Sequence, residues 1–161
     1  IGITGANGTG KSTLMRRLRS LVTIPDGKVI CIAQELSGSE WEELKSSIAN
    51  LTDTARGALF TVVYLLGSEP ARIIESSEPS PGEMRKLALG MGLLKAPALI
   101  MMDEPTNHMD LPSVERIEEA LAEFEGALVL VSHDSRFLRN VTATQWQLSR
   151  EAGISRLAIV H

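Results

Sequence analysis

The sequence predicts an α/β fold, a parallel sheet flanked by helices with a helical subdomain inserted between its strands. Three observations carry this. Gly5 to Thr13 (GANGTGKST) fits G-x-x-x-x-G-K-[ST] through Gly5, Gly10, Lys11 and Ser12, the pattern of a loop that wraps phosphates between a strand and a helix. Ala98 to Met102 (ALIMM) and Ala127 to Val131 (ALVLV) are continuous apolar runs, the look of strands buried on both faces. Gln34 to Glu78 carries helical stripes and no strand signal of comparable strength.

Bulk properties narrow the class. With 161 residues, 43% of them hydrophobic, the chain is long enough for one domain with a core. A net charge of −4 gives no overall electrostatic reason for tight nucleic-acid binding, so any such contact is local. Cys31 is the single cysteine, which excludes a disulfide within the chain and suits a reducing compartment. Its place in the apolar run Val29 to Ala33 predicts core packing. No apolar run approaches the length that spans a bilayer. The chain starts at Ile1 rather than Met with a strand at once, so the natural N-terminus is expected to lie upstream.

The elements follow in order. Ile1 to Thr4 is a short β-prone run, and Lys11 to Val22 sets Leu14, Leu18 and Leu21 on one helical face with Arg16, Arg17 and Arg19 off it. Pro25-Asp26-Gly27 marks a turn, and Lys28 to Ala33 reads as a buried strand with Gln34 at its end. Ser39 and Glu42 have capping-box spacing before Trp41, Leu44 and Ile48, and Leu59, Val62, Val63 and Leu66 form a second stripe closed by Gly67. In Glu78-Pro79-Ser80-Pro81-Gly82-Glu83, Ser80 caps, Pro81 suits the first helical position and Glu83 completes a capping box. That helix runs through Met84, Leu87, Met91 and Leu94 to about Lys95, and Pro97 ends it.

Asp103 and Glu104 close the run ALIMM. A helix then follows Asp110 and Pro112, with Val114, Ile117, Leu121 and Phe124 inward and Gly126 at its end. Ser132-His133-Asp134 stands at the carboxyl end of ALVLV. Thr144 to Ser149 and Ile154 to Val160 add two strands around a turn at Ala152-Gly153. In a parallel α/β sheet, ligands bind at the carboxyl ends of the strands, and Gly10, Gln34, Asp103, Glu104 and His133 all fall near that edge.

Each of these residue types suits phosphate chemistry. Glycines let the backbone N–H groups of the loop (Gly5, Ala6, Asn7, Gly8, Thr9, Gly10, Lys11, Ser12, Thr13) turn toward a polyanion, and the helix start behind them adds the positive end of its dipole. Lys11 reaches the β- and γ-phosphates of a nucleotide, and the Ser12 hydroxyl ligates Mg²⁺. Without the loop, Asp103 and Glu104 would be solvated acids at a strand end. Downstream of it, Asp103 reads as the partner of Mg²⁺ and Glu104 as the base that orients or deprotonates the attacking water. His133 is placed to bond the γ-phosphate, and Gln34 to contact Mg²⁺ or the water on the hinge to the helical insert. His108 has no ligand partners spaced around it and is not a metal residue.

The order of motifs, namely the phosphate loop, Gln34, SPGE at Ser80 to Glu83, ALIMMDEPTNHMD and VSHD, resembles that of ABC-type ATPases from Ile1 to about Leu148. The stretch Asp103 to Asp110 (DEPTNHMD) is similar to the corresponding segment of the ABC-F branch, where membrane transporters more often carry a Ser- or Gly-containing one. The resemblance implies a P-loop NTPase core at 1–34 and 96–161 and a helical subdomain with the signature loop at 35–95. It also implies that the antiparallel β region of such domains, with its adenine-stacking aromatic residue, lies outside this sequence.

It further implies a composite site. Two such domains, in one chain or in a homodimer, pack head to tail, and Ser80 and Gly82 contact the γ-phosphate held by the partner. Pro79 and Pro81 depart from the common Leu-Ser-Gly-Gly pattern at the Leu and first Gly positions. The function implied is Mg²⁺-dependent ATP hydrolysis by a cytoplasmic ABC-F protein acting on the ribosome and its RNA, as a translation factor or in antibiotic protection. The alternatives are the nucleotide-binding subunit of a membrane transporter and an ATP-gated binding module without turnover.

Overall fold

A computed structural model describes residues 1–76 and 79–160. Glu78, the end of the stretch expected to be helical, lies outside the described residues. Six strands form one sheet: β1 (Gly2–Gly5), β2 (Val29–Ile32), β3 (Leu99–Asp103), β4 (Ala127–Val131), β5 (Gln145–Glu151) and β6 (Ile154–Val160), in the order β2-β3-β4-β1-β5-β6. β1 to β5 are parallel and β6 is antiparallel to β5. The sheet is flanked by helices and is of the mixed α/β class that the apolar runs predict.

The register decides where chemistry can gather. Asp103 lies opposite Val131, Ile3 opposite Val131 and Gly5 opposite Leu148, so the carboxyl ends of β1, β3 and β4 share one edge. At that edge the chain order reverses, because β1 has β4 on one side and β5 on the other. The phosphate loop leaves β1 at this switch point.

Alternation along the strands divides the core. Ile100 and Met102 of β3 face one way, onto Ile117 and Leu121 of α6 (Leu111–Ala122) and Phe137 and Leu138 of α7 (Ser135–Val141). Leu99 and Met101 face the other way, onto Met15 of α1 (Lys11–Leu21) and its neighbours. A third cluster of Trp41, Ile48, Leu59, Val63, Ile73 and Leu87 joins α2 (Gly38–Ala49), α3 (Asp53–Leu65), α4 (Pro70–Glu75) and α5 (Pro81–Leu93). Removing any of these fully buried aliphatic side chains down to alanine costs about 2–5 kcal/mol.

Four local expectations need correction. The capping box of α2 is Ser37 with Glu40, two residues before the expected Ser39 with Glu42, because the same spacing occurs twice and the earlier one starts the helix. Leu21 is 60% exposed and Met15 is buried in its stead, because the buried side of α1 is centred on Met15 with Leu14 and Leu18 half-buried beside it. Cys31 points away from Ile30 and Ile32 on an edge strand and is exposed rather than packed. α7 is a helix that the sequence pattern does not predict, started by Asp134, whose carboxylate accepts from Arg136 N and Phe137 N.

The cap of α5 is as expected. Ser80 Oγ accepts from Glu83 N at 3.3 Å, and Glu83 Oε2 accepts from Ser80 N at 2.8 Å, with Pro81 in the first turn. Among the described residues no helix is long and apolar enough to cross a membrane.

Candidate functional site

The loop after β1 is shaped by glycines where other residues would clash or strain. Gly5 has φ +149°, and a Cβ on it would sit 2.5 Å from the Leu148 carbonyl oxygen of the neighbouring strand. Gly10, with φ 100°, is the N-cap of α1; no side chain caps that end and no acid stands in the first turn. The first N–H groups of the helix and the positive end of its dipole are thus left for an anion. Thr9 closes the loop on itself, its Oγ1 donating to Ala6 O at 2.8 Å.

Lys11 is buried, 8% exposed, and folds back over the loop. Its Nζ donates to Gly5 O at 2.8 Å and Ala6 O at 3.2 Å and lies 3.3 Å from His133 Nε2. Ser12, next along the first turn of α1, donates from Oγ to Asp103 Oδ2 at 2.7 Å, which ties the helix start to the end of β3. The Ser12 and Asp103 oxygens are hard donors on one rim, the kind of pair that could hold Mg²⁺ together with substrate phosphates. Among the described residues no three His, Cys, Asp or Glu side chains gather as a metal centre of their own.

Glu104 is the most constrained group here. It has φ +50°, a left-handed conformation that costs a non-glycine residue about 1–3 kcal/mol and is held here by Glu104 N donating to Val131 O at 2.8 Å. The side chain is 5% exposed in the residue as a whole, and its Oε2 accepts from His133 N at 3.2 Å. Its Oε1 is buried with no hydrogen-bond partner among the described residues, and His133 Nε2 stands 3.3 Å away, an ion pair when the imidazole is protonated. Asn7 Oδ1 lies 3.0 Å from the same His133 nitrogen. Lys11, Asn7 and Glu104 therefore meet around one imidazole edge.

These groups line a single cavity of about 480 Å³ with Gly8, Gly10, Thr13, Gln34 and Asn107. Gln34 reaches it from the bend after β2. Ser80 and Gly82 are not part of it; they border a separate cavity of about 290 Å³ with Lys86, His108 and Ser113. Gly82 there packs closely, since a Cβ on it would lie 3.0 Å from His108 O.

Two contributors escape sequence reasoning. Arg150, on β5, lines the cavity and donates from Nη1 to Gly8 O at 3.1 Å, yet nothing in Ser149-Arg150-Glu151 sets it apart from any polar strand end. Arg85 is buried beneath the site and holds loop carbonyls; its spacing to Gly82 and Leu89 on the inner face of α5 was a usable signal.

A family model described as ABC transporter matches residues 1–64. The ribosome protection protein VmlR of Bacillus subtilis (strain 168) is 33% identical over 158 residues, covering 92% of this chain and 29% of that protein. The ABC transporter F family member 2 of Arabidopsis thaliana is 31% identical over 154 residues, covering 88% of this chain and 23% of that protein. A solved dimer of the ATP-binding cassette MJ0796, in a post-hydrolysis state bound to ADP and Pi, superposes with a TM-score of 0.66 at 17% identity, over 91% of this chain and 79% of that one. The chain thus spans about a quarter of the length of the curated relatives it matches. Motif order, fold and relatives together place this chain in the ABC family of nucleotide-binding ATPase domains, in its ABC-F branch.

Proposed function

We propose that this domain binds and hydrolyses ATP with Mg²⁺ as one half of a head-to-tail pair, in a cytoplasmic protein that acts on the ribosome. The observation that carries the chemistry is the meeting of Lys11, Ser12, Asp103, Glu104 and His133 in one cavity at the strand switch point.

In this reading the loop from Gly5 to Thr13 presents its N–H groups, and Lys11 its ammonium, to the β- and γ-phosphates. Lys11 is held over the loop by two carbonyls, so little side-chain freedom is left to lose on binding. Ser12 and Asp103 would hold Mg²⁺, with Gln34 as a further oxygen donor, and the bound ion would supply positive charge to the phosphates.

Glu104 Oε1 takes a proton from the attacking water. It is a buried acceptor lacking a hydrogen-bond partner among the described residues, which a water O–H would satisfy. His133 Nε2 stands between Lys11 and Glu104 and bonds the γ-phosphate, so that its contacts differ before and after cleavage. Ser80 and Gly82, which do not line this cavity, serve the nucleotide of the second domain. The third hydrophobic cluster, whose buried residues all come from α2 to α5, supports a division into a core at 1–34 and 96–161 and a helical part at 35–95.

The ribosome enters through relatives: VmlR is named a ribosome protection protein, and the energy-dependent translational throttle protein EttA of Escherichia coli O6:H1 is 29% identical over 204 residues. Net charge of −4 leaves contact with ribosomal RNA to local surfaces or to other parts of the protein. The full-length Glu104→Gln variant, loaded with ATP, is expected to sediment with ribosomes. Sedimentation with membrane vesicles and not with ribosomes would replace this reading by that of a transporter subunit.

A further inference from the structure

Arg85 is a guanidinium that is 1% exposed, in an environment that charged side chains rarely enter unless paired. It lies on the inner face of α5, near the helix start that carries Ser80 and Gly82. From there its Nη1 donates to the carbonyls of Asn107 at 2.9 Å and Pro105 at 3.3 Å, and its Nη2 donates to the carbonyl of Gln34. One side chain therefore serves three carbonyls on two irregular loops. Both loops line the phosphate cavity, through Gln34 on one and Glu104 and Asn107 on the other.

Burial pushes the guanidinium below its ordinary value, and the carboxylates of Glu104, Glu35 and Asp103 pull it back. Among the described residues no carboxylate bonds it directly, and its hydrogen bonds go to backbone. A planar fork with fixed N–H directions suits that arrangement, whereas an ammonium cannot present the same fork. An apolar side chain of similar volume would leave all three carbonyls without this donor.

We infer that Arg85 is a positioning residue for the nucleotide reaction, fixing the Gln34 loop and the turn that carries Glu104 and Asn107 to the start of α5. Ser80 and Gly82 lie at that same helix end. The inference rests on the ATPase reading above.

The test uses the full-length protein with Arg85→Met and Arg85→Lys, read by steady-state ATP hydrolysis and by amide hydrogen exchange without nucleotide. For Arg85→Met, kcat is expected to fall by about tenfold or more while KM changes by less than about threefold, because misplaced catalytic groups act on the transition state and the Lys11 loop is untouched. Exchange should accelerate about tenfold at amides 33–36 and 106–108 while β3 and β4 stay within about twofold of wild type. Arg85→Lys should recover part of both effects, and it reads the same pattern at smaller amplitude if the Met variant does not fold. Wild-type kcat with wild-type exchange would overturn the inference, as would exchange that rises equally through β3 and β4, the mark of a residue that only supports the fold. Lack of turnover in wild type would instead sink the ATPase reading, and the exchange pattern would still decide the place of Arg85.

Discussion

At the scale of single residues, the site is held by groups that each do two things. Lys11 braces the loop through Gly5 O and Ala6 O and offers a buried positive charge to a ligand. Charge-assisted hydrogen bonds are each worth about 1.5–3 kcal/mol. Lys11→Ala is therefore expected to weaken nucleotide binding by roughly tenfold to a hundredfold in a fluorescence titration, and an unchanged Kd would remove Lys11 from the phosphate site. The sequence makes Lys11, Ser12, Asp103 and Glu104 legible because their chemistry is local to a loop and to a strand end. It does not disclose the left-handed backbone at Glu104, which depends on Val131 from another strand, or Arg150, which reaches Gly8 across the sheet. Those features arise only once distant segments are paired.

At the scale of elements, α1 and α5 are started differently. α1 starts on Gly10 without a side-chain cap, whereas α5 starts on a complete capping box. In that box the Ser80 side-chain hydrogen bond holds the Glu83 carboxyl below its ordinary value of 4.5, and Ser37 does the same for Glu40 in α2. A carboxylate depressed on folding adds stability above its unfolded value and loses it as pH falls through the folded one. Thermal unfolding should thus show both boxes contributing near neutral pH and fading below about pH 4.5. Ser80→Ala should cost about 1 kcal/mol, about 2–4 °C in Tm, at neutral pH and less in acid. An equal loss at both pH values would mean that Glu83 does not share in the cap. Gly5→Ala tests the strand side, where a Cβ would meet the Leu148 carbonyl at 2.5 Å. A loss of about 1–3 kcal/mol is expected in chemical denaturation, and wild-type stability would show that β5 can yield there. Strongly patterned elements such as Ala127–Val131 and Pro81–Leu93 can be read before the structure, while α7, only Ser135–Val141, is too short for a period to stand out.

At the scale of the whole molecule, the sheet order β2-β3-β4-β1-β5-β6 brings Gln34, Asp103 and His133 to the loop of β1. Alternation of buried runs and helices implies a parallel sheet, but the order of strands does not follow from alternation and emerges only in the folded sheet. The two cavities, one with Lys11 and Glu104 and one with Ser80 and Gly82, stand apart in a single domain. If each completes the other's counterpart in a second domain, this 161-residue chain alone should hydrolyse ATP slowly when dilute, with a rate per domain that rises with protein concentration. A brisk rate independent of concentration would show that one domain suffices.

The most direct measurement is steady-state ATP hydrolysis by the full-length Glu104→Gln variant, with nucleotide affinity measured on the same sample. The amide keeps the size of the carboxylate but cannot accept the proton of the attacking water, so hydrolysis is expected to fall on the order of 10²–10⁴-fold while affinity stays within a few-fold of wild type. Hydrolysis at the wild-type rate by a variant that still binds ATP would contradict the account, because the buried Glu104 carboxylate would then not be the group that activates water.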